Sequence, residues 1–350
     1  MKTFQIAVLP GDGIGIEVTA AALRVLDALR PGMPGVNLIC SEHSVGAAEY
    51  LRSGSALPDS AFAACEAADA VLLGAMGLPH VRLPDGLELT PQIEIRERLD
   101  LFNGVRPTRL FHAADTPLKR YKAGEIDFVI LREQTEGLFS SRHARHPADA
   151  IAVTDTLLIT QPRAARICHE AFKLARKRRK QVTLVDKANV LPSMVFFRKV
   201  FDAVAVEYPD VRTERVYVDA CALYLLQRPH TFDVLVTENM FGDILSDLAS
   251  GLVGGLGMAP SADIGPKCAV FQPAHGTAPD IAGQGIANPI AAILSLAMML
   301  DWLSHTETQS AARRIQAAVA RVFENPDLRT KDMGGALRTT EMTDAVLATL

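Results

Sequence analysis

Short apolar runs alternate with helical patterns along most of the chain, and this alternation limits the possible folds more than any other feature. Residues 5–9 form the first run, a glycine-containing turn spans 10–15, and a helical pattern covers about 16–29. Further runs with the character of strands occur at 36–40, 69–74, 127–131, 182–186, 215–218 and 232–236. Repeated strand–helix units give a mostly parallel sheet covered by helices, so the sequence predicts an α/β fold.

Helices and loops follow from the same periodicities. Asp59 or Ser60 is predicted to cap a helix that lies between the second and third strands. Further helical patterns lie at 92–102, 162–177, 220–227, 289–304, 308–324 and from about 340. We interpret 77–90 and 141–148 as loops, and 150–160 as a strand pair or an extended arm.

The composition excludes several classes of protein. The chain has 350 residues, of which 49% are hydrophobic and 22% charged, and its net charge is −4. A chain of this length suggests two domains, and nothing in its charge points to nucleic acid or to a membrane surface. The five cysteines are scattered without a C-x-x-C pair. We therefore expect reduced thiols and a cytoplasmic protein.

Two aspartates follow the apolar run at 232–236 in a helical pattern. Asp243 and Asp247 are four residues apart, so they project from one helix face. Like charges at that spacing repel each other unless a cation lies between them, and divalent cations take carboxylate oxygens as ligands. The two interpretations left open are a metal site and a solvated polar face.

The glycine turn at 10–15 admits two interpretations. A strand, a glycine turn and a helix can together cradle a phosphate or a dinucleotide on backbone N–H groups. The spacing here is G-x-G-x-G rather than G-x-G-x-x-G, and no Lys-Ser or Lys-Thr pair follows. A tight turn between strand and helix is therefore the favoured interpretation.

Several charged residues lie where α/β proteins bind ligands. Arg96, Arg106 and Arg132 lie near predicted strand or helix ends, and guanidinium groups there suit a substrate with several carboxylates. Each could instead form a surface ion pair. Lys187 and Asp219 also follow strands, so one crevice could collect them with Asp243 and Asp247.

Taken together, these motifs resemble the isocitrate/isopropylmalate dehydrogenase family, the NAD(P)-dependent β-decarboxylating dehydrogenases. The resemblance covers nearly the whole chain and rests on 9–15, Arg96 with Arg106, Arg132 with Glu133, 186–189, 239–247 and 275–280. It implies the family's own two-domain α/β fold rather than a Rossmann fold. It also implies a cofactor-side domain of residues 1–101 plus 254–350, and a substrate, metal and dimerisation domain of residues 102–253.

The resemblance also implies a role for each matching residue. Asp243 and Asp247 would bind Mg²⁺ or Mn²⁺ with Asp219 of a partner subunit, and Lys187 would be the catalytic lysine, also acting from the partner. The chain would then be a homodimer with shared active sites. Arg96, Arg106 and Arg132 would clamp substrate carboxylates. The cofactor residues implied are His275, Gly276, Thr277, Ala278, Pro279, Asp280, Asn288 and Asn189.

Cofactor choice follows from Asp280. A carboxylate there could accept hydrogen bonds from both ribose hydroxyls and would repel a 2′-phosphate. In the family, Lys-Tyr at the matching positions accompanies NADP, whereas this chain has Asp280-Ile281. We therefore predict NAD.

Three residues depart from the family pattern. Phe139 stands where the family has the tyrosine expected to protonate the product, and phenylalanine carries no acidic hydrogen. Gln272 stands where relatives usually have glutamate. Gln92 lies on the helix turn where isopropylmalate enzymes carry leucines, and its amide suits an isopropyl group poorly.

The sequence therefore predicts oxidative decarboxylation of a malate-type 2-hydroxy dicarboxylate, in the group of 3-isopropylmalate, tartrate and D-malate. One alternative is a non-catalytic or regulatory relative that binds the same ligands, which Phe139 favours and the full set of charged residues opposes. A homoisocitrate or isocitrate dehydrogenase is the other.

Overall fold

Ten strands and eleven α-helices occur within residues 1–147 and 149–350, which the computed structural model describes. The strands are β1 (Lys2–Gly11), β2 (Val36–Glu42), β3 (Ala70–Ala75), β4 (Asn103–Arg109), β5 (Asp127–Glu133), β6 (Gln181–Asp186), β7 (Arg212–Tyr217), β8 (Val234–Thr237), β9 (Pro260–Ile264) and β10 (Ala269–Pro273). The helices are α1 (Gly15–Leu29), α2 (Ala47–Ser53), α3 (Asp59–Ala67), α4 (Pro91–Arg98), α5 (Gln161–Arg176), α6 (Pro192–Ala205), α7 (Val218–Gln227), α8 (Asn239–Gly251), α9 (Ile290–Trp302), α10 (Thr306–Glu324) and α11 (Thr339–Ala348).

The chain divides into two compact units. Unit 1 contains Met1–Leu101, Leu110–Ala123 and Ser250–Leu350, and unit 2 contains Phe102–Arg109 and Gly124–Ala249. Residues 110–123 thus group with unit 1. The functional division into a cofactor-side and a substrate-side domain stays a prediction.

In unit 1 the strand order is β2-β1-β3-β10-β9. All neighbours are parallel except β9 and β10, which run antiparallel. Every residue of β3 is buried, as expected of a parallel strand with helices on both faces. Helix α9 is apolar on nearly all sides and packs against both β9 and β10.

In unit 2 the order is β4-β5-β8-β6-β7, with β4 antiparallel to β5 and the other neighbours parallel. The core lies between the sheet and the helices α5 and α6, where Phe172 and Phe201 stack with ring centroids 5.3 Å apart. Strands β5, β8, β6 and β7 end at the same edge because they are parallel. That edge carries Arg132, the start of α8, Lys187 and the start of α7. The predicted α/β class with a mostly parallel sheet is confirmed.

Some local predictions were wrong. One helix was predicted between β2 and β3, but α2 and α3 both form there, and Pro58 rather than Asp59 or Ser60 occupies the position before α3. Of the two interpretations of residues 150–160, the strand pair is wrong and the arm agrees with the structure. Among the described residues, the segment has no regular secondary structure apart from one bridge between Leu158 and Gly137, and the side chains of Ile151 and Val153 are exposed.

The loop predicted at 141–148 begins later than expected. A short 3₁₀ helix covers Leu138–His143. Ala148 lies outside the described residues.

All five cysteines are free. Burial raises the pKa of the Cys65 and Cys221 thiols to about 12 and that of Cys268 to about 11, so these thiols stay protonated and weakly nucleophilic near neutral pH. Within the described residues, no helix is long and apolar enough to cross a membrane.

A buried ion pair holds the 110–123 segment within unit 1. Arg329 Nε and Nη2 donate to the two carboxylate oxygens of Asp115 at 2.7 and 3.0 Å, and each side chain is only 4% exposed. Removing one partner of such a pair leaves an uncompensated buried charge. We expect Asp115→Asn to lower the free energy of unfolding by about 3 kcal/mol.

The matched control is Asp344→Asn, because Asp344 pairs with Arg24 in an exposed pair. Exposed pairs contribute about 0–1 kcal/mol. Urea denaturation of both variants measures the difference, and equal shifts in the two midpoints would contradict the prediction.

Candidate active site

Helix α8 carries the two aspartates predicted to bind metal. It begins directly after β8, and Glu238 Oε1 accepts the Phe241 N–H at 2.6 Å, which satisfies a backbone donor of the first turn. Asp243 and Asp247 lie one turn apart on this helix, as their spacing predicts. The pKa of the Asp247 carboxyl lies above its ordinary range, because partial desolvation and the nearby charge of Asp243 both oppose ionisation.

Arg132 joins β5 to the first turn of α8. Its side chain is 2% exposed, and Nε and Nη2 donate to Asn239 Oδ1 at 2.9 and 2.7 Å. Nη1 donates to Asp243 Oδ1. A Cβ at Gly242 would lie 2.7 Å from the Arg132 side chain, so a glycine there permits this close approach.

Phe139, which stands at the position of the family's tyrosine, lies near Arg132. The Phe139 ring centroid lies 5.2 Å from the Arg132 guanidinium carbon. Nearby, the Ser140 hydroxyl donates to the Gly137 carbonyl at 2.8 Å. The ring is therefore in place beside the arginine, but it offers no proton.

Arg106 is buried on β4, and Nη2 donates to Gln134 Oε1 at 3.4 Å. The positive charges of Arg106 and Arg132 both oppose the upward shift in the pKa of Asp247. Two buried arginines of unit 2 therefore stabilise the charged form of Asp247.

Lys187 and Asp219 form a separate pair. Lys187 Nζ donates to Asp219 Oδ1 at 2.7 Å, and Asp219 is 67% exposed. This hydrogen bond holds the pKa of Asp219 below its ordinary value. Asn189, two residues further along, is exposed.

Among the described residues of one chain, the structure does not bring Asp219 to Asp243 and Asp247 as a third metal ligand. In residues 1–147 and 149–350, no three His, Cys, Asp or Glu side chains come together in a way that could hold a metal. Asp243 and Asp247 follow β8, which lies between β5 and β6, whereas Lys187 and Asp219 follow β6 and β7.

In unit 1, a cavity of about 420 Å³ contains four of the predicted cofactor residues, His275, Gly276, Ala278 and Asn288. Thr277, Pro279 and Asp280 belong to the same loop but do not line the cavity, whereas Ile281 does. Sequence reasoning missed Leu256, Lys331 and Asp332, which also line it.

His275 presents an unused acceptor in this cavity. Its Nδ1 lies 2.9 Å from the Gly276 carbonyl oxygen, which can only accept, so we assign the proton to Nδ1. Burial lowers the pKa of His275, which favours the neutral ring. Nε2 is then an acceptor, shielded from solvent and without a hydrogen-bond partner in the described part of the chain.

Asn288 is buried and mainly organises the cavity wall. Its Oδ1 accepts the Ile290 N–H at 3.1 Å at the start of α9, and Nδ2 lies 3.3 Å from Asp332 Oδ2. The loop residue Ala278 has a φ of +38°, a region that L-residues rarely adopt and that costs roughly 1–3 kcal/mol.

The glycine turn at 10–15 packs against this loop. The Ile14 N–H donates to the Thr277 carbonyl at 2.9 Å, and the Asp12 N–H donates to Ala75 at 2.7 Å. Gly13 has a φ of +59°, and a Cβ there would lie 2.1 Å from the Thr277 carbonyl oxygen. The tight-turn interpretation is confirmed, since these N–H groups are already used.

Arg96 lies on α4 in unit 1, with a side chain 10% exposed. Its Nε donates to Asp263 Oδ2 at 2.7 Å. Gln92 lies one turn earlier on the same helix, and its Oε1 is buried without a hydrogen-bond partner among the described residues. An acceptor in that state is costly unless a ligand supplies a donor.

Known proteins match this chain along almost its whole length. The sequence profile of the isocitrate/isopropylmalate dehydrogenase family matches residues 5–346. The 3-isopropylmalate dehydrogenase of Aquifex aeolicus is 40% identical over 365 residues, covering 100% of this chain and 98% of that protein. The corresponding protein of Bacillus licheniformis is 44% identical over 349 residues, covering 94% and 90%.

Solved structures agree with this assignment. The crystal structure of isocitrate dehydrogenase from Methylococcus capsulatus matches with a TM-score of 0.89 and 37% identity, and the match covers 99% of each chain. A β-decarboxylating dehydrogenase from Thermococcus kodakarensis matches with a TM-score of 0.81 and 36% identity, covering 99% and 96%. The chain therefore belongs to the isocitrate/isopropylmalate dehydrogenase family, and it is an oxidatively decarboxylating dehydrogenase that acts on a CH–OH group.

Proposed function

We propose that this enzyme oxidises and decarboxylates a malate-type 2-hydroxy dicarboxylate with NAD and Mg²⁺ or Mn²⁺. The observation that carries the proposal is the pair Asp243 and Asp247 on one face of α8, with the buried Arg132 bonded to the first of them. Carboxylates at this spacing are stabilised by a cation, and an arginine beside them suits a substrate carboxylate.

The donor set fits a hard divalent ion. Mg²⁺ is commonly held by one or two protein carboxylates, with water and substrate oxygens completing the shell. Burial raises the pKa of Asp247, and the nearby charge of Asp243 raises it further; a bound cation would relieve that repulsion. When bound, the ion would supply Lewis-acid stabilisation of oxygen atoms on the substrate.

The chain's own residues perform the remaining steps of the proposal. Arg96, Arg106 and Arg132 bind the carboxylates of the substrate. Lys187, acting from the partner subunit together with Asp219, removes the hydroxyl proton as hydride passes to NAD. Oxidation produces a β-keto acid, which loses CO₂, and carbon 3 must then gain a proton. Water or the Ser140 hydroxyl would supply it in place of the missing tyrosine.

The unit 1 cavity fits the adenosine end of NAD. The free acceptor at His275 Nε2 matches a donor such as an adenine amino group. Asp280 is exposed at the end of the loop, where its charge opposes a 2′-phosphate. These features support NAD over NADP.

Gln92 limits the choice of substrate within the group. Its buried Oε1 would stay unpaired against an isopropyl group, whereas a hydroxyl substituent could donate to it. Because the relatives reported above are 3-isopropylmalate dehydrogenases, 3-isopropylmalate remains one of the candidate substrates. Gln92 favours a candidate whose third substituent is smaller or more polar than isopropyl.

A homodimer is part of the proposal. Unit 2 exposes several apolar side chains, among them Val190, Val195, Leu223, Leu226 and Ile244. Burying them against a second copy of the chain would be favourable. The free thiols support a cytoplasmic location.

A panel of substrates tests the function. The purified protein with Mn²⁺ is assayed with 3-isopropylmalate, D-malate, the tartrates, isocitrate and homoisocitrate, and with NAD or NADP. We expect NADH from at least one of the first three substrate types and a preference for NAD. A protein that reduces neither cofactor with any of them would instead be the non-catalytic relative that Phe139 favours.

A further inference from the structure

Asp186 is a buried carboxylate that directly precedes Lys187 in unit 2. It is the last residue of β6, and its side chain is fully buried. Arg198 of α6 donates two hydrogen bonds to it, from Nε to Oδ2 and from Nη2 to Oδ1, both at 2.7 Å. Because two parallel hydrogen bonds fix the relative orientation of both groups, Asp186 has a defined direction.

The same carboxylate holds the backbone beyond Lys187. Asp186 Oδ1 accepts the Ala188 N–H at 3.0 Å, a contact that aspartates often make with the backbone two residues further on. The Lys187 carbonyl accepts the N–H groups of Val190 and Leu191 at 3.1 and 3.0 Å. Lys187 therefore extends from a turn whose peptide groups are hydrogen-bonded on both sides of it.

Arg198 and the Lys187 amine also approach the same aromatic ring. Tyr217 on β7 is the register partner of Asp186 on β6. The Tyr217 ring centroid lies 5.3 Å from the Arg198 guanidinium carbon and 5.9 Å from Lys187 Nζ. On the other side, Lys187 Nζ donates to Asp219 at 2.7 Å. The turn, the ring and the ion pair together define where the amine lies.

We propose that Arg198 is a positioning residue for Lys187: it fixes Asp186, and Asp186 fixes the turn from which the lysine extends. This inference rests on the proposed role of Lys187 as the group that removes the hydroxyl proton. Arg198 does not touch the substrate and acts only through the position of the amine. A displacement of a reacting group by about 1 Å can lower a rate about 100-fold.

Substitution of Arg198 in two backgrounds tests this role, with NADH formation measured on 3-isopropylmalate or D-malate, whichever is the better substrate. We expect Arg198→Gln to lower kcat about 30-fold while KM for the dicarboxylate changes less than about 3-fold. In a Lys187→Ala enzyme the same change should lower the residual kcat less than about 3-fold, because no amine is left to position. A purely structural contribution would lower kcat equally in both backgrounds.

Two further variants separate position from charge and from general stability. Arg198→Lys keeps the positive charge but cannot form the two-point contact, so we expect a smaller loss in kcat of about 5-fold. Arg215→Gln is the matched control, because the Arg215 side chain is 32% exposed against 28% for Arg198 and also pairs with a carboxylate, Asp202 of α6. It should keep kcat within about 2-fold of the parent.

The outcomes separate this inference from the proposed function. If Lys187→Ala leaves kcat unchanged, the proposed base is wrong and the inference fails with it. If Lys187→Ala lowers kcat but Arg198→Gln does not, or lowers it equally in both backgrounds, only the role of Arg198 is wrong. Should Arg198→Gln not fold, Arg198→Lys decides: a fall in kcat seen only when Lys187 is present supports the positioning role, and an unchanged kcat or an equal fall contradicts it.

Discussion

Lys187→Ala and Asp247→Asn are each expected to lower kcat for NAD reduction by about 1,000-fold. The first removes the proposed base, and positioned acid–base groups contribute about 10²–10⁴-fold. The second removes one of the two α8 carboxylates that suit a divalent ion. Initial rates of NADH formation with saturating substrate and Mn²⁺ measure both losses.

Lys199→Ala is the control for the lysine variant, because Lys199 is an exposed lysine of unit 2 on α6. It should retain activity within about 2-fold of the parent, as exposed substitutions usually do. A Lys187→Ala enzyme that keeps more than about a tenth of the parental kcat would remove Lys187 from the mechanism.

The second large effect concerns the step after decarboxylation. Phe139→Tyr is expected to accelerate formation of the decarboxylated product by about 10–100-fold, because a phenolic hydroxyl would supply the missing acid. The ring already lies beside Arg132, with its centroid 5.2 Å from the guanidinium carbon, so the hydroxyl is added to a side chain in place. The rate at which the protonated 2-keto acid product forms, followed alongside NADH in the same reaction, measures the change.

Phe102→Tyr is the matched control for that variant. Phe102 is also a phenylalanine of unit 2 beneath an arginine, with Arg166 4.1 Å from its ring centroid. It should leave the rate of formation of the 2-keto acid product unchanged. An unaltered rate in Phe139→Tyr itself would show that phenylalanine does not limit the protonation step.

The strand–helix alternation and the spacing on α8 were predictable because they depend on neighbours in sequence. Strand β9 escaped prediction because Ser261 and Asp263 are buried polar residues whose partners lie elsewhere in the chain. The Arg96–Asp263 contact joins residues 167 positions apart, and no local pattern reports such a pairing. Lys331 and Asp332 also lie far along the chain from the His275 loop and were missed for the same reason.

The role of Asp219 illustrates a different limit. The sequence places it after a strand end, like Lys187, and suggests one shared crevice. In the structure Asp219 accepts a hydrogen bond from Lys187 at 2.7 Å, and within the described residues it does not join Asp243 and Asp247 in a group that could hold a metal. Such pairings depend on tertiary packing, so they could not be read from the elements alone.

The most direct test of a metal-dependent dehydrogenase with shared sites is activity in hybrids of the two inactive variants. Chains with Lys187→Ala and chains with Asp247→Asn are exchanged in equal amounts, and hybrid formation is confirmed with two affinity tags. A site built from Asp247 of one chain and Lys187 of the other is intact once per hybrid, so about a quarter of parental Mn²⁺-dependent NADH formation should return. Hybrids that form but produce no NADH would contradict the proposal.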